Sequence, residues 1–362
     1  MDDYRVAVIP GDGVGPEVVP HAVEILRAAA QVDGGLRFEF EEFPWGCGYY
    51  LEHDEMMPAD GLTLLRDFDQ IVLGAVGWPT VPDHISLWGL LLPIRRGFQQ
   101  YVNLRPTRLL RGARSPLART NAGFDFVILR ENTEGEYSNI GGRLHTDQPH
   151  EVVVQTTVFT RTGTERIIRQ GYEVARHSRQ RLVGATKSNG INYVMPYWDE
   201  VFRRIGTQYP DVTASLMHAD ALAAKLVLEP ESFDVIVASN LLGDLLSEIG
   251  AAIQGGIGMA ASANLNPDGG VPSMFEPVHG SAPDIAGLGL ANPIGAMWSA
   301  KLLLDQIGRR ELGDLVLGAI EDVVASGCVT PDLGGRASTN EVGQAVVARI
   351  LHASAVEPAP PA

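Results

Sequence analysis

The sequence predicts an α/β protein of two domains, and three observations carry that prediction. Short apolar runs alternate with segments of helical periodicity, the pattern of strands joined by helices. Within the runs the apolar residues are nearly continuous, as strands of a largely buried sheet require. A chain of 362 residues, 45% of them apolar, has material for a large core, and its length favours two domains.

Taken in order, residues 5–9 (RVAVI) read as the first strand. Pro16 then opens a helix whose apolar positions Val19, Val23, Leu26 and Ala30 recur at three- and four-residue spacing. Further strands are expected at 36–43, 71–76, 124–130, 181–186 and 233–239, and helices at 165–179, 197–205, 241–253 and 294–307. Residues 151–160 (EVVVQTTVFT) are rich in β-branched side chains and follow the turn signal Gly141-Gly142, so a hairpin or arm able to pair with another subunit is expected. Ser338 and Glu341 stand at capping-box spacing before a last helix, and the tail 356–362 has the composition of a disordered segment.

A formal charge of -16 repels polyanions at long range, which argues against nucleic acid and anionic membranes as partners. A small anionic substrate therefore needs a local arginine cluster. The start, MDDYR, is acidic where a secretory signal is basic, and no apolar run approaches the roughly 18 to 20 residues of a membrane span. Cys47 and Cys328 are too few for a disulfide framework and lack metal-ligand spacing, so both read as structural or incidental thiols of a reducing cytoplasm.

The glycine loop 11–17 (GDGVGPE) invites a dinucleotide-fingerprint reading, but Pro16 stands where that pattern needs glycine. A tight strand-to-helix turn is the alternative. Arg95-Arg96, then Asn103-Leu104-Arg105-Pro106, then Arg130 at a strand end are more informative. Planar guanidinium forks grip carboxylates, and three of them fix a dianion in one orientation. Asp244 and Glu248 share one face of a helix, where like charges repel unless a cation lies between them; the alternative is a solvated face. Hard oxygen ligands suit a divalent ion, with Asp220 as a third carboxylate. Lys187 closes another apolar strand and Tyr137 lies just past the arginine strand, so both are candidates for proton transfer.

Residues 276–287 (EPVHGSAPDIAG), followed by Asn292-Pro293, are too polar for a core and read as a binding loop. Its candidate cofactor contacts are Glu276, His279, Gly280, Ser281, Ala282, Asp284, Ile285 and Asn292. An acid such as Asp284 accepts hydrogen bonds from a ribose diol and repels a 2'-phosphate, which points to NAD over NADP.

GDGVGPE, NLRP, REN-x-EG-x-Y, the lysine strand, SNLLGDLLSE and EPVHGSAPDIAG, in this order over nearly the whole chain, resemble the β-decarboxylating dehydrogenases that include isocitrate, 3-isopropylmalate, tartrate and D-malate dehydrogenases. The resemblance implies a two-domain α/β fold of the isopropylmalate dehydrogenase type, distinct from the Rossmann fold. Its first domain is 1–101 with 256–362, carrying most of the NAD site. The second, 102–255, carries the dimer interface, the arm and the metal and substrate residues. It further implies a homodimer with shared active sites. Arg95, Arg105 and Arg130 then match substrate-carboxylate ligands, Asp244 matches a metal ligand, and Lys187 and Asp220 match positions that reach into the partner's cleft. Glu248 stands where the family usually has aspartate.

Upstream of Arg95, the stretch 84–93, with Trp88 and Leu91 as candidate substrate contacts, is similar to that of the tartrate and D-malate members. Isopropylmalate enzymes tend to have glutamate at the position of Trp88, and a bulky side chain there fills the room of a larger C3 substituent. The resulting expectation is an NAD- and Mg2+- or Mn2+-dependent oxidative decarboxylation, with K+ as an open addition. Lys187 takes the hydroxyl proton as hydride leaves C2, CO2 departs, and Tyr137 protonates the enolate. D-malate gives pyruvate by this route, and tartrate is the other candidate substrate. The alternatives are 3-isopropylmalate dehydrogenase and, in another class, a non-catalytic regulatory subunit, which predicts lost catalytic residues that this chain retains.

Overall fold

Val6, Ala7, Val8 and Ile9 are all buried, so the first apolar run becomes a strand covered on both faces. The computed structural model describes residues 2–118 and 123–353; the tail 356–362 lies outside them. It divides into two units, one of Met1–Phe98, Leu109–Ala118 and Ala251–Ala362 and one of Gln99–Arg108 and Arg119–Gly250. The sequence reading draws these breaks at 101/102 and 255/256, and the structure also returns 109–118 to the first unit. Two contacts explain that return: Arg111 pairs with Asp322, and Gly112, at φ +87°, has the backbone of Ala325 where a side chain would stand.

In the first unit β1 (Asp2–Gly11) lies between β2 (Leu36–Glu42) and β3 (Gln70–Ala75), parallel to both. Beyond β3 come β12 (Ser273–Pro277), also parallel, and β11 (Ala261–Leu265), antiparallel to β12. Helix α1 (Gly15–Asp33) packs on α10 (Ile294–Gln306) and α12 (Thr339–Ala353), with α11 (Arg310–Ala325) beside them. The short helices α2 (Cys47–His53), α3 (Gly61–Leu65), α4 (Asp83–Ser86) and α5 (Leu92–Gly97) lie between β2 and residue 98. A π-helical turn, Leu87–Leu91, joins α4 to α5. The capping box before α12 forms reciprocally: Ser338 N donates to Glu341 Oε2 at 2.8 Å and Glu341 N to Ser338 Oγ at 3.3 Å.

In the second unit the strand order is β4 (Val102–Arg108), β5 (Asp125–Glu131), β10 (Val235–Ala238), β8 (Arg181–Thr186), β9 (Thr213–His218). All neighbours are parallel except β4 with β5. Helices α6 (Arg161–Arg176), α7 (Val194–Gly206), α8 (Ala219–Leu228) and α9 (Asn240–Ile253) follow or connect these strands. The core is built on Ile128, Leu129, Ile167, Tyr172, Trp198 and Phe202. The β-branched run forms only a short strand, β7 (Val152–Gln155), antiparallel to β6 (Gly141–Leu144) in a two-stranded ribbon with every residue exposed. No described helix is long and apolar enough to cross a membrane.

The glycine loop is a turn packed under another loop. A side chain at Gly13 would stand 1.9 Å from the Ser281 carbonyl oxygen, and Val14 N donates to that oxygen at 2.8 Å. Two acids of the motif hold backbone: Asp12 accepts Cys47 N and Gly77 N, each at 2.8 Å, and Glu17 accepts Gly287 N at 2.5 Å and Gly289 N at 2.9 Å. The loop thus supports residues 281–289.

Candidate active site

The second unit gathers its chemistry at the carboxyl ends of its parallel strands. Arg130 is the last but one residue of β5, Lys187 follows β8, Asp220 lies in the first turn of α8 after β9, and Asn240 opens α9 after β10. That edge is where open α/β sheets form their ligand crevices.

Helix α9 begins under a carboxylate. Glu136 accepts Ser239 Oγ at 2.8 Å and Leu241 N at 3.0 Å, satisfying an amide that the first helical turn leaves unpaired. One turn on, Gly243 lets the helix approach Arg130, whose Cβ lies 2.6 Å from where a side chain would start. Asn240 Oδ1 accepts both Nε of Arg130, at 3.0 Å, and Nη2, at 2.7 Å, which leaves Nη1 to bond Asp244.

Arg105 reaches the same acid from β4. Its Nε donates to Asn103 Oδ1 at 2.8 Å and its Nη1 to Ser247 Oγ at 2.7 Å. Its Nη2 lies 3.3 Å from Asp244 and its Nη1 3.4 Å from Glu248. Tyr137 OH donates to Asp244 Oδ2 at 3.3 Å, and its ring lies 5.4 Å from the Arg130 guanidinium carbon. Two buried guanidinium groups thus face two carboxylates that keep 29% and 43% of their side chains open to solvent. Burial, aided by Asp244, holds the Tyr137 phenol above its ordinary range, against the pull of Arg130. Burial also raises the Glu248 carboxyl; Arg105 opposes this and Asp244 adds to it.

Asp244 and Glu248 offer hard oxygens one helical turn apart, so the donor set fits a divalent cation of the Mg2+ or Mn2+ kind. Among the described residues no group of three His, Cys, Asp or Glu side chains forms a metal centre within one chain. Asp220 is engaged elsewhere: Lys187 Nζ donates to its Oδ2 at 3.0 Å. That lysine, with the amide of Ala221, holds the Asp220 carboxyl below its ordinary range.

In the first unit Arg95 and Glu276 are partnered with each other. Arg95 Nη2 donates to Glu276 Oε1 at 2.6 Å, both side chains are buried, and Asn264 Nδ2 donates to the same oxygen at 2.7 Å. Trp88 lies in the π-helical turn, half-buried, with the Arg96 guanidinium 4.7 Å from its ring centre; Leu91 is half-buried in the same turn.

Of the eight candidate cofactor contacts, Glu276 and Asn292 anchor the loop. Asn292 Oδ1 accepts Ile294 N at 3.0 Å at the start of α10, and its Nδ2 donates to Asp332 at 2.9 Å. Gly280 and Asp284 are exposed, and Ser281, Ala282 and Ile285 are half-buried. Ala282 adopts φ +40°, and the Ile285 amide closes a turn onto its carbonyl. His279 keeps a buried Nε2 with no partner, and burial holds its imidazole below the ordinary range and neutral. A buried, unpartnered ring nitrogen in a loop with open ground around Gly280 fits a polar nucleotide ligand.

Four positioning residues escape a reading by residue type: Asn103, Asn240, Ser247 and Glu136. Their neutral or distant side chains look incidental, although each adjoins or falls within NLRP, SNLLGDLLSE or REN-x-EG-x-Y.

The isocitrate/isopropylmalate dehydrogenase family profile matches residues 5–346. A probable tartrate dehydrogenase/decarboxylase of Bacillus subtilis is 54% identical over 97% of this chain and 99% of its own. A D-malate dehydrogenase (decarboxylating) of Escherichia coli is 51% identical over 97% of this chain and 99% of its own. The crystal structure of isocitrate dehydrogenase from Methylococcus capsulatus superposes with a TM-score of 0.87 at 30% identity, covering 96% of this chain and 99% of that one.

Proposed function

The chain belongs to the isocitrate/isopropylmalate dehydrogenase family, and from that premise we propose that it oxidises and decarboxylates a small 2-hydroxy dicarboxylic acid, D-malate or tartrate, in the cytoplasm. Asp244 and Glu248, with Asp220 from a second copy, would hold Mg2+ or Mn2+, which would supply Lewis acidity, and bound NAD+ would supply the hydride acceptor. The observation that carries the reading is the convergence of Arg105, Arg130 and Tyr137 on Asp244.

Asp244 and Glu248 would turn from Arg105 and Arg130 to a cation bound between them, and the guanidinium nitrogens that now face these acids would bond substrate carboxylates instead. Arg95 is proposed as a further carboxylate ligand; within its own unit Glu276 holds it. Asn240, Asn103 and Ser247 hold the two forks in orientation through the exchange. Lys187, placed in the site of a second copy, accepts the 2-hydroxyl proton as hydride leaves C2. Tyr137, kept protonated by burial, gives its proton to the carbon that has lost CO2. The loop 276–292 holds the dinucleotide, with exposed Asp284 facing the ribose diol and His279 offering its unpaired nitrogen.

A homodimer accounts for the apolar surface of this unit. Leu241 and Leu245 on α9, Val227 and Leu228 on α8, and Leu144 with Val153 on the ribbon are all exposed, and a second copy covers such surface. Trp88 narrows the space beside C3, which favours D-malate and tartrate over 3-isopropylmalate. Steady-state kinetics with NAD+ and Mn2+ test this: kcat/KM for D-malate or L-tartrate exceeds that for 3-isopropylmalate by about 100-fold. A preference for 3-isopropylmalate, or no NADH with any of the three acids, overturns it.

A further inference from the structure

We propose that Arg96 is a specificity-positioning residue that pins Trp88 across the space beside the substrate's C3, resting on the reading above that Trp88 limits substrate size. The guanidinium carbon of Arg96 stands 4.7 Å from the Trp88 ring centre, well within the reach of a cation–π contact. Arg96 follows Trp88 by eight positions. On a regular helix, at 100° per residue, positions i and i+8 point about 80° apart. The π-helical turn at Leu87–Leu91, closed by Leu92 N on the Leu87 carbonyl, takes one extra residue into that turn. Arg96 therefore stands where the seventh residue of a regular helix would, about 20° from Trp88. Helical side chains also lean toward the N-terminus, so the arginine stem runs back along the helix to the indole.

A half-buried indole without such a lid swings to another rotamer at little cost and opens the space it filled. Stacked under a guanidinium, it resists that swing. The device makes the size limit a property of two residues instead of one, and the helical irregularity is what brings them together.

The test is a double-mutant cycle on the full-length enzyme, reading the ratio of kcat/KM for D-malate to kcat/KM for 3-isopropylmalate, with Tm measured for each variant. Trp88→Ala lowers the ratio about 10-fold or more by opening the space. Arg96→Met, which keeps the apolar stem, lowers it about 2- to 5-fold, because the value for 3-isopropylmalate rises. Arg96→Lys stays within about 2-fold, since an ammonium also stacks on an indole face. In the Trp88→Ala background Arg96→Met changes nothing further. A shift from Trp88→Ala with none from Arg96→Met overturns the pinning alone, as does an Arg96→Met shift of equal size with and without the tryptophan. No shift from Trp88→Ala overturns the size-limit reading and the pinning with it.

Discussion

Asp12 and Glu17 in the first unit and Asp244 and Glu248 in the second are acids of equally conspicuous motifs, yet their partners differ in kind. The first pair accepts backbone amides: Cys47 and Gly77 for Asp12, Gly287 and Gly289 for Glu17. The second pair faces side-chain guanidinium groups and a phenol, with part of each carboxylate open to solvent. A backbone amide cannot leave without unfolding a turn, whereas an arginine is free to exchange one anion for another. The lesson is that an acid's role is told by what it would release on binding.

The sharpest way to break this contrast is Asp244→Asn. We expect kcat/KM for D-malate to fall by about 10^3-fold or more, the scale of a lost Lewis-acid site, with Mn2+ affinity by calorimetric titration falling in step. Retained Mn2+ binding and turnover within tenfold of the parent would place Asp244 with the scaffold acids.

Next in size, Lys187→Met and Tyr137→Phe divide the proton work. The lysine variant loses oxidation by about 10^2- to 10^4-fold, while the tyrosine variant still transfers hydride and slows only the proton return, about 10^2-fold. Rapid-quench measurement of NADH against released keto acid separates the steps, and equal loss of both in Tyr137→Phe contradicts the assignment.

Asp12→Asn is the scaffold counterpart. An amide faces one of the two backbone N–H groups with its own donor, so stability drops by about 1.5 to 3 kcal/mol, seen in urea unfolding, with Mn2+ affinity unchanged. A loss of Mn2+ affinity with stability intact would erase the contrast. Smallest of all is the effect of thiol modification. Burial, with Asp12 beside it, pushes the Cys47 thiol up to about 12. At pH 8 only about 10^-4 of it is thiolate, so a thiol reagent titrates Cys328 alone and turnover is untouched. Rapid reaction of two thiols in the native protein contradicts the buried setting of Cys47.

Most strands that stood out in the sequence are buried on both faces, such as Arg181–Thr186, whose bounds coincide with expectation; Leu36–Glu42, an edge strand with one buried residue, stood out by its alternation instead. The strand Val102–Arg108 did not stand out, because its covered face is polar. Asn103, Arg105 and Thr107 are buried there while Leu104 and Pro106 are half-buried, an inversion produced by the site itself. The strand Thr213–His218 was hidden for the opposite reason, being exposed over its first half. Charged site residues were legible because guanidinium and carboxylate chemistry is visible one residue at a time. Asn240, Ser247 and Glu136 were not, since positioning by a neutral amide, a hydroxyl or a remote carboxylate depends on a neighbour that only the fold supplies.

The way the first unit is assembled from distant stretches carries a consequence for biosynthesis. Strands β1 to β3 and helix α1 are translated early, but β12, α10 and α12, against which they pack, emerge only after the whole of the second unit. On the ribosome the N-terminal stretch must wait with the face of α1 that packs on α10 and α12 uncovered, while the later stretch 119–250 already has most of its partners in hand. Chaperone dependence and aggregation during expression should therefore track the opening hundred residues, and slower elongation near the end of the message should hurt yield more than slower elongation in its middle.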